Sequence, residues 1–293
     1  MILAKKNYPC AVCGSEQFSP LYKVKDFAIV ACKSCGFVAV NPRVENEQLH
    51  LLYTDKYFSG ASENYGYQDY DLTANLRILT FSKWLERIRP FLSTTKGPVL
   101  DIGCASGYFI DLMQQEGWPV EAIELDQAMV VKLRERGLQI FDRPFEDFVS
   151  AKKYKLITLF DVMEHIPDLQ TTFKKLHDLL DEDGVVAMIT PNFGSRQRKI
   201  FGKRWFQFKP LEHIHYFTPA TLDLIAKKNG LEVVWCGASG QYADMGFLLN
   251  RLEKYRFYRL KALIGGCAKL LGLSKATLYL DTGSLFAVLR KRR

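Results

Sequence analysis

One run constrains the fold of this chain more than any other: Asp101-Ile102-Gly103-Cys104-Ala105-Ser106-Gly107. Val99 to Ile102 before it reads as a buried strand. Gly103 to Gly107 reads as a tight turn. Tyr108 to Glu116 reads as a helix closed by Gly117. Val120 to Ile123 is a second strand, ending at Glu124. That order is the opening βαβ unit of a doubly wound sheet. Its acidic residue stands 21 positions after the first glycine, a spacing at which a carboxylate binds ribose hydroxyls.

The glycine spacing narrows the ligand. A dinucleotide fingerprint, G-x-G-x-x-G, brings backbone against a pyrophosphate. Here the pattern is Asp101-x-Gly103-x3-Gly107, with a carboxylate at the mouth of the turn. Asp101 repels a pyrophosphate and attracts a ligand carrying an ammonium and a sulfonium. S-adenosylmethionine (SAM) is favoured over NAD. The competing reading is a degenerate, non-binding Rossmann domain, in which Asp101 and Glu124 are poor choices for core positions.

At these residues the chain resembles the class I SAM-dependent methyltransferases. After a third apolar strand (Leu138–Phe141), the segment Leu159-Phe160-Asp161-Val162-Met163-Glu164-His165-Ile166-Pro167-Asp168 is similar to their post-strand-4 motif. The resemblance covers about residues 97–240 and the final strand near 283–290. It implies an α/β, Rossmann-like sheet with helices on both faces. It implies that the loop of Gly103, Ala105 and Gly107 cradles the methionine portion. Glu124, with Leu125 beside it, takes the ribose diol, and Asp161 lies near the cofactor. Asp147 or Phe145 borders the adenine.

Four of the seven cysteines form two matched pairs, Cys10/Cys13 and Cys32/Cys35, with eighteen residues between Cys13 and Cys32. This C-x2-C-x18-C-x2-C spacing falls within the usual zinc range. Four thiolates with no open position make a structural Zn2+ site, and the glycine after each pair suits the knuckle. The apolar residues between the pairs read as short strands, so residues 1–45 are expected to form a zinc ribbon. A redox CxxC pair needs a thioredoxin-like context that is absent here.

After a strand at Val185–Thr190, basic and aromatic residues interleave from Phe193 to Phe217. Thr218 then caps a helix, with Pro219 at its first position and Gly230 just past its end. A loop leaving the carboxyl end of a strand reaches the ligand site. An oxygen or carbon acceptor of a methyl group must lose a proton, and histidine is the usual base. Glu212-His213 offers that base beside a carboxylate; His165 competes with it, and His215 follows. Tyr216 assists or packs. Arg196, Arg198, Lys199, Lys203 and Arg204 either pair with a pyrophosphate or form a solvated loop.

Glu212-His213-x-x-Tyr216-Phe217-Thr218-Pro219, together with the four-cysteine module, also resembles the zinc-containing sugar methyltransferases of deoxysugar biosynthesis, including C-methylating members. That resemblance implies that Glu212, His213 and Tyr216 lie at an acceptor sugar. The chain departs from the group in its shorter spacing between cysteine pairs and in its ending.

The remaining segments set the expected domain order. Residues 46–96 hold an aromatic linker or lid, with Tyr53, Tyr57, Phe58, Tyr65, Tyr67 and Tyr70, and then a helix at about 72–90. Residues 97–240 form the SAM-binding core. Residues 241–281 form an amphipathic basic helical insertion, in which Leu248, Leu252 and Tyr255 recur at helical spacing between Phe247 and Tyr258. Residues 282–293 supply a final core strand (Ser284–Leu289) and a basic tail. There is no apolar run of transmembrane length and no signal peptide, so a cytoplasmic protein is expected.

With 40 Lys and Arg against 32 Asp and Glu, the net charge is +8. That permits phosphate-rich partners or an anionic membrane surface without choosing among them. The expected function is methyl transfer from SAM to oxygen or carbon of a small molecule, most plainly a sugar, nucleotide sugar or glycan precursor. The cofactors are SAM and structural Zn2+. The rivals are RNA methylation, O-methylation of a lipid or quinone, and a non-catalytic SAM-binding partner protein. Base N-methylation fits less well, since Asp161-Val162-Met163-Glu164 lacks the Asn/Asp-Pro-Pro-aromatic motif.

Overall fold

In the computed structural model, the described residues are 4–49, 74–254, 257–271 and 276–293. The tyrosine-rich lid expected at residues 51–70 lies outside them. The cysteine segment contributes β1 (Lys5–Lys6), β2 (Phe18–Val24), β3 (Phe27–Cys32), β4 (Val38–Val40), β5 (Arg43–Val44) and the short α1 (Asn46–Leu49). The expected helix follows as α2 (Ala74–Ile88). Then come β6 (Val99–Ile102), α3 (Tyr108–Gln115), β7 (Val120–Ile123), α4 (Gln127–Glu135), β8 (Ile140–Phe141), β9 (Tyr154–Phe160), α5 (Leu169–Leu179) and β10 (Leu180–Pro191). The rest is α6 (Arg196–Phe201), β11 (His215–Tyr216), α7 (Pro219–Lys228), β12 (Leu231–Asp244), α8 (Met245–Lys254), α9 (Tyr258–Leu270) and β13 (Thr277–Lys291).

A seven-stranded sheet in the order β12-β13-β10-β9-β6-β7-β8 organises the core. The strands from β10 to β8 are parallel, and β13 runs antiparallel to both β10 and β12. Helices cover both faces, so a strand such as β6 is buried along its whole length, as parallel sheets require. This is the α/β, Rossmann-like sheet expected from the glycine run. The helix starts carry their own signals. Asp126 and Asp168 accept from Met129 and Thr171 N–H at 3.0 and 3.1 Å. Thr218 and Thr221 form a capping box over α7, with Pro219 at its first position.

Three sequence expectations change. The third core strand shortens to Ile140–Phe141, because Leu138 N–H instead bonds Leu133 O at the end of α4. The final strand is longer than Ser284–Leu289. It pairs with β12 from Lys291 back to Thr277, so residues 241–244 and 277–281 are a strand ribbon and not part of a helical insertion. Across that ribbon Tyr242 and Tyr279 stack edge-on at 5.2 Å. The helices are confined to α8 and α9, and Tyr255 of the expected stripe lies outside the described residues.

The N-terminal sheet does not close within residues 1–45. Its order is β11-β4-β3-β2, and β11 comes from the loop after β10. His215 pairs with Ala39 and Tyr216 with Val38. Val40 N–H adds a bond to Ile214 O at 3.0 Å. No helix among the described residues is long and apolar enough to cross a membrane.

Candidate active site

Three acidic residues meet at the carboxyl edge of the sheet: Asp101 near the end of β6, Glu124 after β7 and Asp161 after β9. Asp101 is buried, and Thr158 Oγ1 donates to its Oδ1 at 2.6 Å. Burial, opposed by that hydrogen bond and reinforced by the Glu124 charge, pushes the Asp101 carboxyl up to about 7. Glu124 accepts backbone N–H bonds from Ala105 (2.7 Å), Leu125 (2.8 Å) and Asp126 (2.9 Å). Burial still raises its pKa above the ordinary carboxylate value. Glu124 thereby ties the Gly103–Gly107 turn to the end of β7.

That turn is built for close approach. Gly103 has φ +73°, and a Cβ there would stand 2.5 Å from Val162 Cγ2. Gly107 has φ +76°, and its Cβ would stand 2.7 Å from Leu133 Cδ2. Two of the three described non-glycine residues with left-handed backbone lie here, Ala105 at +49° and Asp161 at +56°; the third, Lys25, is in the β2–β3 turn. Such strain, of order 1–3 kcal/mol each, gathers at functional sites. Burial pushes Asp161 up to about 6, opposed by the charges of Lys209 and Arg77.

A second constellation lies on the segment after β9 and the loop before β11. His165 and His213 meet edge-on, 4.9 Å between ring centroids. His165 Nδ1 is 3.1 Å from Glu212 O, and His213 Nδ1 is 3.0 Å from Gln207 O. A carbonyl can only accept, so each Nδ1 carries its proton and each Nε2 keeps its lone pair. Burial holds both histidines below their ordinary range, His165 at about 3 and His213 well below. Lys209 adds to both shifts and stands 3.8 Å from Glu212 Oε2. Glu164 is fully buried. Its carboxyl pKa is raised by burial and then by the Asp161 charge. One oxygen of Glu164 and one nitrogen of each histidine lie within 4.8 Å of one another, a donor set of the kind a divalent cation accepts. Ile214 N–H bonds Glu164 O at 2.9 Å and holds the two segments together.

Other expected residues divide. The buried Tyr216 ring packs on Phe208 at 5.2 Å and Trp205 at 6.1 Å. Burial and the charges of Glu164 and Glu212 raise its phenol pKa. His215 faces the other way, 5.5 Å from Phe37, and burial lowers it to about 3. Arg198 Nε donates to Phe193 O at 2.7 Å, and its guanidinium lies 4.3 Å from the Phe193 ring centroid. Among the basic-loop residues it is therefore engaged in packing the loop. Phe145 is buried in the core, and Lys175 Nζ donates to its carbonyl. Sequence reasoning missed Thr158, Glu164 and Lys209 as site residues. A carboxylate four residues beyond the mainly apolar strand β9 was the available signal for Glu164.

The four knuckle sulfurs also lie within 4.8 Å of one another, with Cys10–Cys35 at 3.6 Å and Cys13–Cys32 at 3.4 Å. A tetrahedral ion with arms of about 2.3 Å separates its thiolates by roughly 3.8 Å. Donor set and spacing thus fit one Zn2+.

A family profile described as a methyltransferase domain matches residues 75–235, more than half of the chain. The chain belongs to this methyltransferase family. Ubiquinone biosynthesis O-methyltransferase of Actinobacillus pleuropneumoniae serotype 5b is 33% identical over 106 residues, covering 32% of this methyltransferase and 45% of the relative. The same-named protein of Bordetella avium is 26% identical over 164 residues, covering 51% and 67%. The chain thus spans less than half the length of the first of these relatives. Magnesium protoporphyrin IX methyltransferase of Synechocystis PCC 6803, solved with bound SAH, aligns with a TM-score of 0.54 at 13% identity. The alignment covers 85% of this chain and 100% of that one. At that identity the likeness is one of fold.

Proposed function

We propose that this methyltransferase carries the SAM methyl group to a hydroxyl oxygen of a small molecule, with a buried neutral histidine taking the proton. The observation that carries this reading is the His165–His213 pair. Each ring is held by a backbone carbonyl at Nδ1, and each is depressed below its ordinary pKa by burial. At neutral pH both rings are neutral and present Nε2 as the accepting atom. The depression itself weakens them as bases, so the support is the Nδ1 anchoring that fixes tautomer and orientation.

Asp101 and Asp161 are suited to the ammonium of the methionine portion, Glu124 to the ribose diol, and the Gly103–Gly107 turn to the sulfonium side. When bound, SAM supplies a methyl group activated by the sulfonium and a neutral leaving thioether. Most of the remaining work is alignment of acceptor and methyl. His213 Nε2 would take the proton of the acceptor hydroxyl. His165 flanks it, and Glu212 with Lys209 holds the loop. The four cysteines hold structural Zn2+.

For the acceptor we favour a phenolic or quinone-type ring over a sugar. The relatives named ubiquinone biosynthesis O-methyltransferase support the former. Of the five cations that a nucleotide-sugar pyrophosphate would use, Arg198 is engaged with Phe193. A sugar hydroxyl remains the second reading. It is favoured by the attachment of the Glu212-His213 loop to the cysteine sheet through β11.

The test uses SAM with a labelled methyl group and extract divided into phenolic-lipid, polar glycan, RNA and protein fractions, with Asp101→Ala as control. Label in the phenolic-lipid fraction, lost in the control, supports the reading. Label in the glycan fraction selects the sugar alternative, and label in RNA overturns both. SAM binding with no label in any fraction means a non-catalytic binding protein.

A further inference from the structure

The α8–α9 hairpin has an inverted surface. Lys261, Ile264, Gly265 and Ala268 recur at i, i+3, i+4 and i+7 and form the inward side of α9. Gly265 lies against Leu249 of α8, and Lys261 Nζ pairs with Glu253 at 2.6 Å. On the other side Leu260, Leu263, Cys267 and Leu270 recur at i, i+3, i+7 and i+10 and face outward, with Leu263 65% and Leu270 87% exposed. Phe257, Tyr258 and Leu271 extend this exposed apolar face at both ends. A helix on the surface of a globular domain normally turns polar residues outward, and an exposed apolar face of this kind marks a contact site.

Charge identifies the partner. No Asp or Glu stands between Glu253 and Asp281, whereas Lys254, Arg256, Arg259, Lys261, Lys269 and Lys275 do. A second copy of the chain docking through the same face would bring Arg259 and Lys269, the exposed cations of α9, near their own counterparts, since a two-fold interface pairs a patch with itself. An anionic bilayer neutralises them while taking up the leucines, as interfacial amphipathic helices do.

Position adds a third observation. β10 ends at Pro191, opposite Ser284, but the β12–β13 ribbon continues to Asp244 and Thr277. The hairpin is therefore carried past the carboxyl end of the sheet, the same end that bears Asp101, Glu124 and Asp161.

We propose that α8–α9 is a peripheral membrane-docking element that lays the Leu260–Leu263–Leu270 face of α9 on an anionic lipid surface. The proposal rests on the hairpin alone and not on the acceptor argued above. Vesicle binding is read without turnover, so either reading can fail without the other.

The experiment is flotation of the full chain with vesicles of phosphatidylglycerol and phosphatidylcholine, and with phosphatidylcholine alone. The chain should float with the first and not the second, and salt at about 0.5 M should release it. Leu263→Glu/Leu270→Glu and Arg259→Glu/Lys269→Glu should each lower partitioning at least about tenfold. Melting temperature should stay unchanged, since these side chains are exposed. Absence of flotation on anionic vesicles overturns the proposal. So does equal flotation on neutral ones. A dimer by light scattering that Leu263→Glu/Leu270→Glu dissociates also overturns it, and assigns the face to a second copy.

Discussion

His165 and His213 stand edge to face, 4.9 Å between ring centroids, although they are 48 residues apart in sequence. Each is fixed through Nδ1 by a carbonyl from the loop before β11. Replacing either by Gln keeps size and polarity but removes the basic nitrogen. His213→Gln should lower kcat about 10²–10⁴-fold while SAM affinity by calorimetry stays within about twofold. His165→Gln at wild-type turnover would confine the base to His213.

The cofactor role proposed for Asp101 predicts a pH dependence of SAM affinity. Its carboxyl sits at about 7 in the free protein because burial penalises the charge. A ligand ammonium requires the ionised form. Below pH 7 binding must first remove a proton, and affinity should fall by up to about tenfold per pH unit. Calorimetry from pH 5.5 to 8.5 should show this slope in the wild type and a weak, flat profile in Asp101→Asn.

The same group predicts a stability gain on mutation. Its folded pKa is raised above the unfolded value, so the folded state binds the extra proton between about 4 and 7. The stabilising contribution is present at low pH and is lost as pH rises through 7. Asp101→Asn should therefore raise the melting temperature of the ligand-free protein at pH 8, with the difference shrinking toward pH 5.

Gly103→Ala tests the cradle. The new Cβ meets Val162 Cγ2 at 2.5 Å, and φ is +73°. A cost of about 1–3 kcal/mol and loss of SAM binding are expected. Adding Val162→Ala relieves the contact but not the backbone, so Gly103→Ala/Val162→Ala should regain only part of the stability.

The cysteine cluster should hold one Zn2+ per chain by elemental analysis. Cys13→Ser or a strong chelator should release it and lower the melting temperature, at about 2 °C per kcal/mol lost for a chain of this size. Turnover should fall as well, since β11 pairs with β4. SAM affinity should change little, because Asp101, Glu124 and the Gly103–Gly107 turn lie on other elements.

The parts legible in the sequence were those set by local chemistry. Val99–Ile102 and Val120–Ile123 are legible because each is a short, mainly apolar run bounded by Gly or Pro on one side and by a turn or a carboxylate on the other. The helix Pro219–Lys228 read correctly because Thr218 and Pro219 announce its start. Long-range partners left no local mark. Thr158 meets Asp101 only because β9 lies beside β6. The ribbon through Tyr242 and Tyr279 joins residues separated by two helices, and neither strand announces its partner in its own sequence. His215 stands two residues from His213 in sequence, yet a strand's alternation turns it toward Phe37.

Two residue pairs, His215 with Ala39 and Tyr216 with Val38, splice the cysteine sheet to the loop that carries His213. A boundary drawn at residue 45 therefore cuts through a hydrogen-bonded ladder. Deleting the first 45 residues would strand β11 as an unpaired edge and uncover Tyr216 and Trp205. Grafting those residues onto another methyltransferase would leave β4 open unless the donor's Ile214–Phe217 travelled with them. The transferable unit is discontinuous, and inheritance or engineering of one part constrains the other.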